Sequence, residues 1–212
     1  MKLDRITSFL PQIKSASLPG KESHEKIMDL DIRKEIFKHA NHQNPPRQSS
    51  VLCLLYPGEE NQTKMVFILR KKTEGHHSGQ IAFPGGKKEF FDPDDYHTAL
   101  REAHEEVGID PQKVHFIKKL SGIFIPVSNY SVQPFLAYTE NRPFFSKQEE
   151  EVEKILELDL DDFLNLPPVE LSKTYFNKNY KLYAFQTNEW LIWGATAMIL
   201  SEIVDLLKKA GL

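Results

Sequence analysis

Three glutamates, Glu102, Glu105 and Glu106, lie close together in the stretch Arg101-Glu102-Ala103-His104-Glu105-Glu106-Val107-Gly108-Ile109. In a helix their i, i+3, i+4 spacing puts all three carboxylates on one face. Like charges packed this way destabilise an isolated helix by about 0.2–0.5 kcal/mol per i,i+4 pair, and a divalent cation reverses that cost. Hard cations such as Mg²⁺ take oxygen ligands, keep several waters and bridge to phosphate oxygens. The chemistry this pattern suits is metal-assisted work on a phosphate. By themselves, three glutamates equally suit a solvated acidic helix face.

The surrounding elements decide between these. Ala99, Leu100, Ala103 and Val107 make an apolar stripe that can pack the helix on a sheet, and Asp94 or Thr98 can cap its start. Just upstream, the apolar run Ile81-Ala82-Phe83 ends in the turn Pro84-Gly85-Gly86, whose glycines allow close backbone approach. Val51–Tyr56 and Met65–Leu69 are continuous apolar runs separated by a polar turn. They predict a hairpin of strands buried on both faces. Further strands are expected at Gln80–Phe83, Val114–Leu120, Gly122–Pro126, Gln133–Tyr138, Lys181–Phe185 and Trp190–Trp193. Glu151–Leu158 suits a strand or a short helix, and Asp159–Leu164 a single helical turn stopped by Pro167-Pro168. Thr196–Leu207 has the period of an amphipathic C-terminal helix. Strands with helices inserted between them give an α+β class. Residues 1–46 read as an N-terminal extension, and residues 47–212 as the main domain. In the extension Leu3, Ile6, Phe9, Leu10 and Ile13 predict one short amphipathic helix, Pro19-Gly20 breaks it, and a second helix is expected around Ile32–Ala40.

Gly86, Arg101, Glu102, Glu105, Glu106, Gly108 and Ile109 match the signature G-x5-E-x7-R-E-U-x-E-E-x-G-U, in which U is a bulky apolar residue, and the chain here resembles the Nudix hydrolases. It departs from the pattern in three ways. One extra residue separates Gly86 from Arg101, Asp92 stands where the first Glu would fall, and Ala103 replaces a larger apolar residue. The resemblance implies a Nudix-type α/β/α sandwich with a mixed sheet, to which the N-terminal helices are added. It also implies Mg²⁺- or Mn²⁺-dependent hydrolysis of a diphosphate linked to another moiety. In that setting Glu102, Glu105 and Glu106 are the metal ligands, and one of them or a loop glutamate takes the proton of the attacking water. Glu151 is the candidate for the loop role, with Glu149 and Glu150 beside it. Arg101, four residues before Glu105, holds a glutamate in place. Gly85 and Gly86 let the backbone approach the substrate.

Flanking residues resemble one branch, the coenzyme A pyrophosphatases: the run Gly79–Gly86, the longer signature with an acid at Asp92, Glu151-Val152, and Ile192–Ala197. The branch's substrate motif, L-L-T-x-R-S-x2-L-R, corresponds to Val66–Gly75, where Arg70 survives, Ile68 replaces Thr and Glu74-Gly75 replaces Leu-Arg. Arg70 is the candidate for substrate phosphate. His76 and His77 read as loop histidines, Lys71, Lys72, Lys87 and Lys88 as surface lysines or ligand neighbours, and Phe83 and Trp193 as core aromatics. Coenzyme A or an acyl-coenzyme A, cleaved to 3′,5′-ADP and (acyl-)4′-phosphopantetheine, is the first substrate expected. ADP-ribose or another nucleotide is the alternative, and a non-catalytic nucleotide-binding module the third reading.

Composition sets outer limits. The chain has 212 residues, a net charge of −3, 40% hydrophobic and 27% charged residues, which is ordinary for a soluble domain. It lacks the basic stripe of a nucleic-acid binder, an apolar run long enough to span a bilayer and the apolar core of a signal peptide. Its single cysteine, Cys53, cannot form an internal disulfide and sits in an apolar run as a small hydrophobe. A cytoplasmic protein with a small-molecule nucleotide partner is expected, and a homodimer is compatible with the composition.

Overall fold

The apolar run Val51–Tyr56 lies within β1 (Arg47–Pro57), and its alternation divides the molecule into layers. The computed structural model describes every residue except 40–43, 73–76, 176–177 and 188. Four short helices precede β1: α1 (Leu3–Ser8), α2 (Leu10–Ser15), α3 (Lys21–Glu25) and α4 (Leu30–His39). After it come β2 (Thr63–Arg70), β3 (Ile81–Ala82), β4 (Gly85–Lys87), α5 (Asp95–Val107), β5 (His115–Lys119), β6 (Ile123–Ile125), β7 (Tyr130–Tyr138) and β8 (Val152–Asp159). The chain closes with α6 (Leu160–Asn165), β9 (Val169–Tyr175), β10 (Lys178–Gln186), β11 (Leu191–Ile192) and α7 (Gly194–Lys209).

Successive strand residues face opposite sides. Leu52, Leu54 and Tyr56 of β1, Val66 and Ile68 of β2, and Phe135 and Ala137 of β7 therefore pack with Ala99, Ala103 and Val107 of α5. Their neighbours Cys53, Leu55, Met65, Phe67 and Leu136 face the other way, into a larger core with α7 and with Leu3, Ile6, Ile13 and Ile27 of the N-terminal segment. Both faces are covered, which is why these strands read as unbroken apolar runs. Cys53, at the middle of β1, is fully buried. The result is the expected mixed sheet between helices.

β1 runs parallel to β7 from Arg47↔Tyr130 to Leu55↔Tyr138. It pairs with β2 only at Leu55–Pro57. Beyond that the two strands separate, and the wedge between them is filled by β3 on β2 and by β4 on β1, the latter through Ser49–Val51. β8 lies antiparallel on β2, with Arg70 opposite Val152, so Glu151–Leu158 is a strand and not a helix. β9, β10 and β11 form a separate antiparallel sheet.

Three expectations need correction. The N-terminal periodicity is carried by two helices, because Phe9 (φ −98°, ψ 7°) interrupts the turn between α1 and α2. A third helix, α3, was not anticipated, nor was β9 after Pro167-Pro168. The second expected helix is α4, and its last expected residue, Ala40, lies outside the described residues. Polar contacts tie the first segment down. Lys118 Nζ donates to the carbonyls of Ile13 (3.0 Å) and Ala16 (2.9 Å) at the end of α2. Buried His24 of α3 meets buried Glu202 of α7 at 3.1 Å.

Candidate active site

α5 begins where sequence allows it to. Asp94 is its N-cap, accepting the N–H of His97 at 2.9 Å, which satisfies one of the unpaired first-turn donors. It ends at Gly108, whose φ of 76° is left-handed and suits glycine. Between these caps Ala99, Ala103 and Val107 seat the helix on the sheet. A small residue at position 103 belongs to this seat, since Ala103 has no exposed surface.

This seating aims Glu102 and Glu106 at β4. Glu106 is 1% exposed. Its Oε2 accepts the N–H of Gly85 at 2.8 Å, whereas its Oε1 is buried without a hydrogen-bond partner. Burial pushes this carboxyl up to about 8 against the pull of the Gly85 N–H and Arg70, and the charges of Glu102 and Glu151 push the same way. Glu102 lies over Gly86 so closely that a Cβ there would overlap its carboxylate. Burial also raises the Glu102 carboxyl, with Glu105 and Glu151 adding repulsion. Glu105 stands on the more open side of the helix, half exposed.

Arg101 holds this arrangement together. Its Nε and Nη2 grip Asp92 at 2.9 and 3.0 Å. Nη2 also donates to the carbonyl of Lys87 at 2.9 Å, and Nη1 lies 2.9 Å from both Glu105 Oε2 and Glu102 Oε1. Four hydrogen bonds and the ion pair with Glu102 thus engage all three nitrogens of the guanidinium. Asp92 is buried and also accepts from the Glu89 N–H (2.9 Å) and the Thr98 hydroxyl (3.0 Å). The Arg101 hydrogen bonds, with those two donors, hold its carboxyl down to about 2. The residue that departs from the signature therefore anchors the arginine that positions Glu102 and Glu105. Sequence reasoning assigned Asp92 no role; its place just before the helix cap was the available signal.

Arg70, at the end of β2, sits among the carboxylates. Its Nη1 is 3.5 Å from Glu106 Oε1 and its Nη2 is 3.8 Å from Glu151 Oε2. Of the three neighbouring acids, Glu151 is the one whose charge is felt by both Glu102 and Glu106, while Glu149 pairs with Lys147 at 3.0 Å. Lys87 and Lys88 are engaged with Glu89 and Asp95. His77 is held in its loop, with Nε2 2.9 Å from Ser128 Oγ. Phe83 is buried, and Trp193 is partly exposed beneath Lys173. Ile68 has no exposed surface, so replacing Thr there changes the core and not a ligand contact. Glu74, Gly75 and His76 lie outside the described residues.

These residues fit a hard divalent cation. A buried carboxylate oxygen lacks a donor, and the carboxylates around it repel one another. Among the described residues no three His, Cys, Asp or Glu side chains already converge as a cage. An ion that keeps several waters and binds through a few carboxylates plus substrate phosphate does not require one.

Comparison with known proteins gives the family. A family model for the NUDIX domain matches residues 46–180, more than half of the chain. The chain is 32% identical over 162 residues to "Nudix hydrolase 22, chloroplastic" of Arabidopsis thaliana, covering 73% of this chain and 53% of that protein. It is 31% identical over 163 residues to the uncharacterized Nudix hydrolase NudL of Enterobacter sp. (strain 638), covering 74% and 81%. The chain spans about half the length of the plant relatives it matches. Two solved structures share the fold. The Nudix hydrolase RenU of M. smegmatis has a TM-score of 0.52 at 13% identity, over 80% of this chain and 90% of that one. The MutT protein of Methanosarcina mazei Go1 has a TM-score of 0.51 at 14% identity, over 80% and 99%. From the match over residues 46–180 and the 31% identity over 163 residues to the Enterobacter protein, the chain belongs to the Nudix family.

Proposed function

We propose that this protein hydrolyses the diphosphate of a nucleoside diphosphate linked to another moiety, with coenzyme A or an acyl-coenzyme A as its substrate. The observation that carries the diphosphatase reading is the buried Glu106, one oxygen of which has no hydrogen bond and which feels the charges of Glu102 and Glu151. When bound, Mg²⁺ or Mn²⁺ would neutralise the diphosphate and lower the pKa of a coordinated water. Glu102, Glu105 and Glu106 would hold the ion. Arg101, fixed by Asp92, keeps Glu102 and Glu105 in their rotamers. Gly85 and Gly86 let this backbone pass close to Ser50, Val51 and the Glu102 carboxylate, and it is the backbone that would meet a phosphate bound beside Glu102 and Glu106. Glu151 is half exposed and near these carboxylates, which suits it to accept the proton of the attacking water. Products would be 3′,5′-ADP and 4′-phosphopantetheine or its acyl form.

The coenzyme A assignment draws support from the flanking residues Gly79–Gly86, Glu151-Val152 and Ile192–Ala197. It is tested by incubating the protein and Mg²⁺ with coenzyme A, 3′-dephospho-coenzyme A, ADP-ribose and nucleoside triphosphates, and reading products by mass. Preferential cleavage of coenzyme A supports the assignment. Faster cleavage of ADP-ribose or a triphosphate replaces the substrate, and binding without turnover of any of them replaces the enzyme with a nucleotide-binding module.

A further inference from the structure

The two arginines of the site are held in different ways. Arg101 is bound at 2.9–3.0 Å on every donor. Arg70 touches Glu106 at 3.5 Å and Glu151 at 3.8 Å, distances at which charge attracts but a directed hydrogen bond is not made. Glu106 Oε1 accordingly remains without a hydrogen-bond partner. The backbone of Arg70 is fixed, its N–H donating to Gln80 at 3.0 Å and its register lying opposite Val152, so only the side chain can move. That side chain is one-third exposed.

A guanidinium and a divalent cation cannot both lie against Glu106 Oε1, because like charges at such separation repel strongly. We propose that Arg70 holds the cation's place beside Glu106 in the metal-free protein, and is displaced by the cation toward the substrate's diphosphate. The inference rests on the reading of this site as a metal-dependent diphosphatase. It gives Arg70 two positions. In one it neutralises a buried carboxylate that would otherwise face only its own kind. In the other its planar fork meets phosphate oxygens.

The test uses Mn²⁺ alone, without substrate, with binding followed by calorimetry or by the electron paramagnetic resonance of the free ion. Arg70→Met removes the competing charge and is expected to bind Mn²⁺ about five- to tenfold more tightly than the natural protein, the scale of a partly exposed ion pair. Arg70→Lys keeps the charge and is expected to bind near the natural affinity. An Arg70→Met protein that binds Mn²⁺ equally or more weakly, while Glu106→Gln still weakens binding, overturns the placeholder role and leaves the metal site standing. Unchanged binding in Glu106→Gln overturns both. A measurement independent of Arg70 variants follows the Arg70 Nε resonance in the natural protein during Mg²⁺ titration. It should move with the midpoint of metal binding, and a resonance that stays put refutes displacement.

Discussion

Replacing Asp92 with Asn keeps the shape of the residue and removes its charge. Asp92 is 8% exposed, accepts two bonds from Arg101 and one each from Glu89 and Thr98, and has its carboxyl held at about 2 from an ordinary 3.8. A tenfold change in proton affinity is worth about 1.36 kcal/mol, so the ionised carboxylate contributes about 2 kcal/mol at neutral pH by linkage. For a chain of this size that is a loss of roughly 4–8 °C in Tm. The sign fixes the pH course. A carboxyl depressed in the folded state stabilises above its unfolded pKa and loses that contribution as pH falls through its folded pKa. The gap between the natural protein and Asp92→Asn should therefore be full above about pH 5, about half as large by pH 3, and small near pH 2. Urea unfolding monitored by circular dichroism across this range measures it. Because Arg101 would lose its anchor, kcat should also fall by about tenfold or more. A gap below about 0.5 kcal/mol at neutral pH, or one that does not narrow with acid, would refute the claim that Asp92 is the charged anchor of Arg101.

Other expectations follow from the same geometry. A chelator should abolish turnover, and Mg²⁺ or Mn²⁺ should restore it; full activity in excess chelator would remove the metal from the mechanism. Glu102→Gln and Glu106→Gln should each lower turnover by about a hundredfold or more while the metal-free proteins keep their fold, checked by kinetics beside thermal unfolding. Gly85 and Gly86 should respond differently to alanine. A Cβ at Gly85 collides with the backbone of Ser50 and Val51, so Gly85→Ala should lose several kcal/mol, on the order of other forced overpacking, or fail to fold. At Gly86 the collision is with the movable carboxylate of Glu102; Gly86→Ala should keep its Tm and lose metal affinity, which calorimetry reads directly.

Local features were the legible ones. The both-face burial of β1 and β2 shows in their unbroken apolar runs, and the α5 carboxylates and caps show in spacing alone, since a helix brings i and i+4 together without help from the rest of the chain. β9 was missed because Val169-Glu170-Leu171-Ser172-Lys173-Thr174-Tyr175 is a largely polar strand of a small sheet, with little hydrophobic contrast to reveal it. The break at Phe9 was missed because the apolar period continues across it. The grip of Asp92 on Arg101 spans a turn and the first half of a helix, and the approach of Arg70 to Glu106 joins a strand end to the helix packed on the sheet. Both depend on tertiary placement, which residue type does not encode locally. The nearness of Glu151 to Arg70 likewise depends on β8 lying beside β2.

Cys53 gives the molecule a clock. It is the only thiol in the chain, it lies in the central strand with no exposed surface, and burial raises its thiol pKa well above the ordinary value. Alkylating reagents attack the thiolate, so modification must wait for the central strand to be exposed. The strand is covered by a layer on each side and flanked by other strands, so that exposure is close to unfolding of the whole core. The rate of labelling at Cys53 thus reports how often the entire sheet comes apart, and ligands that bind only the folded protein should slow it in proportion to the stability they add.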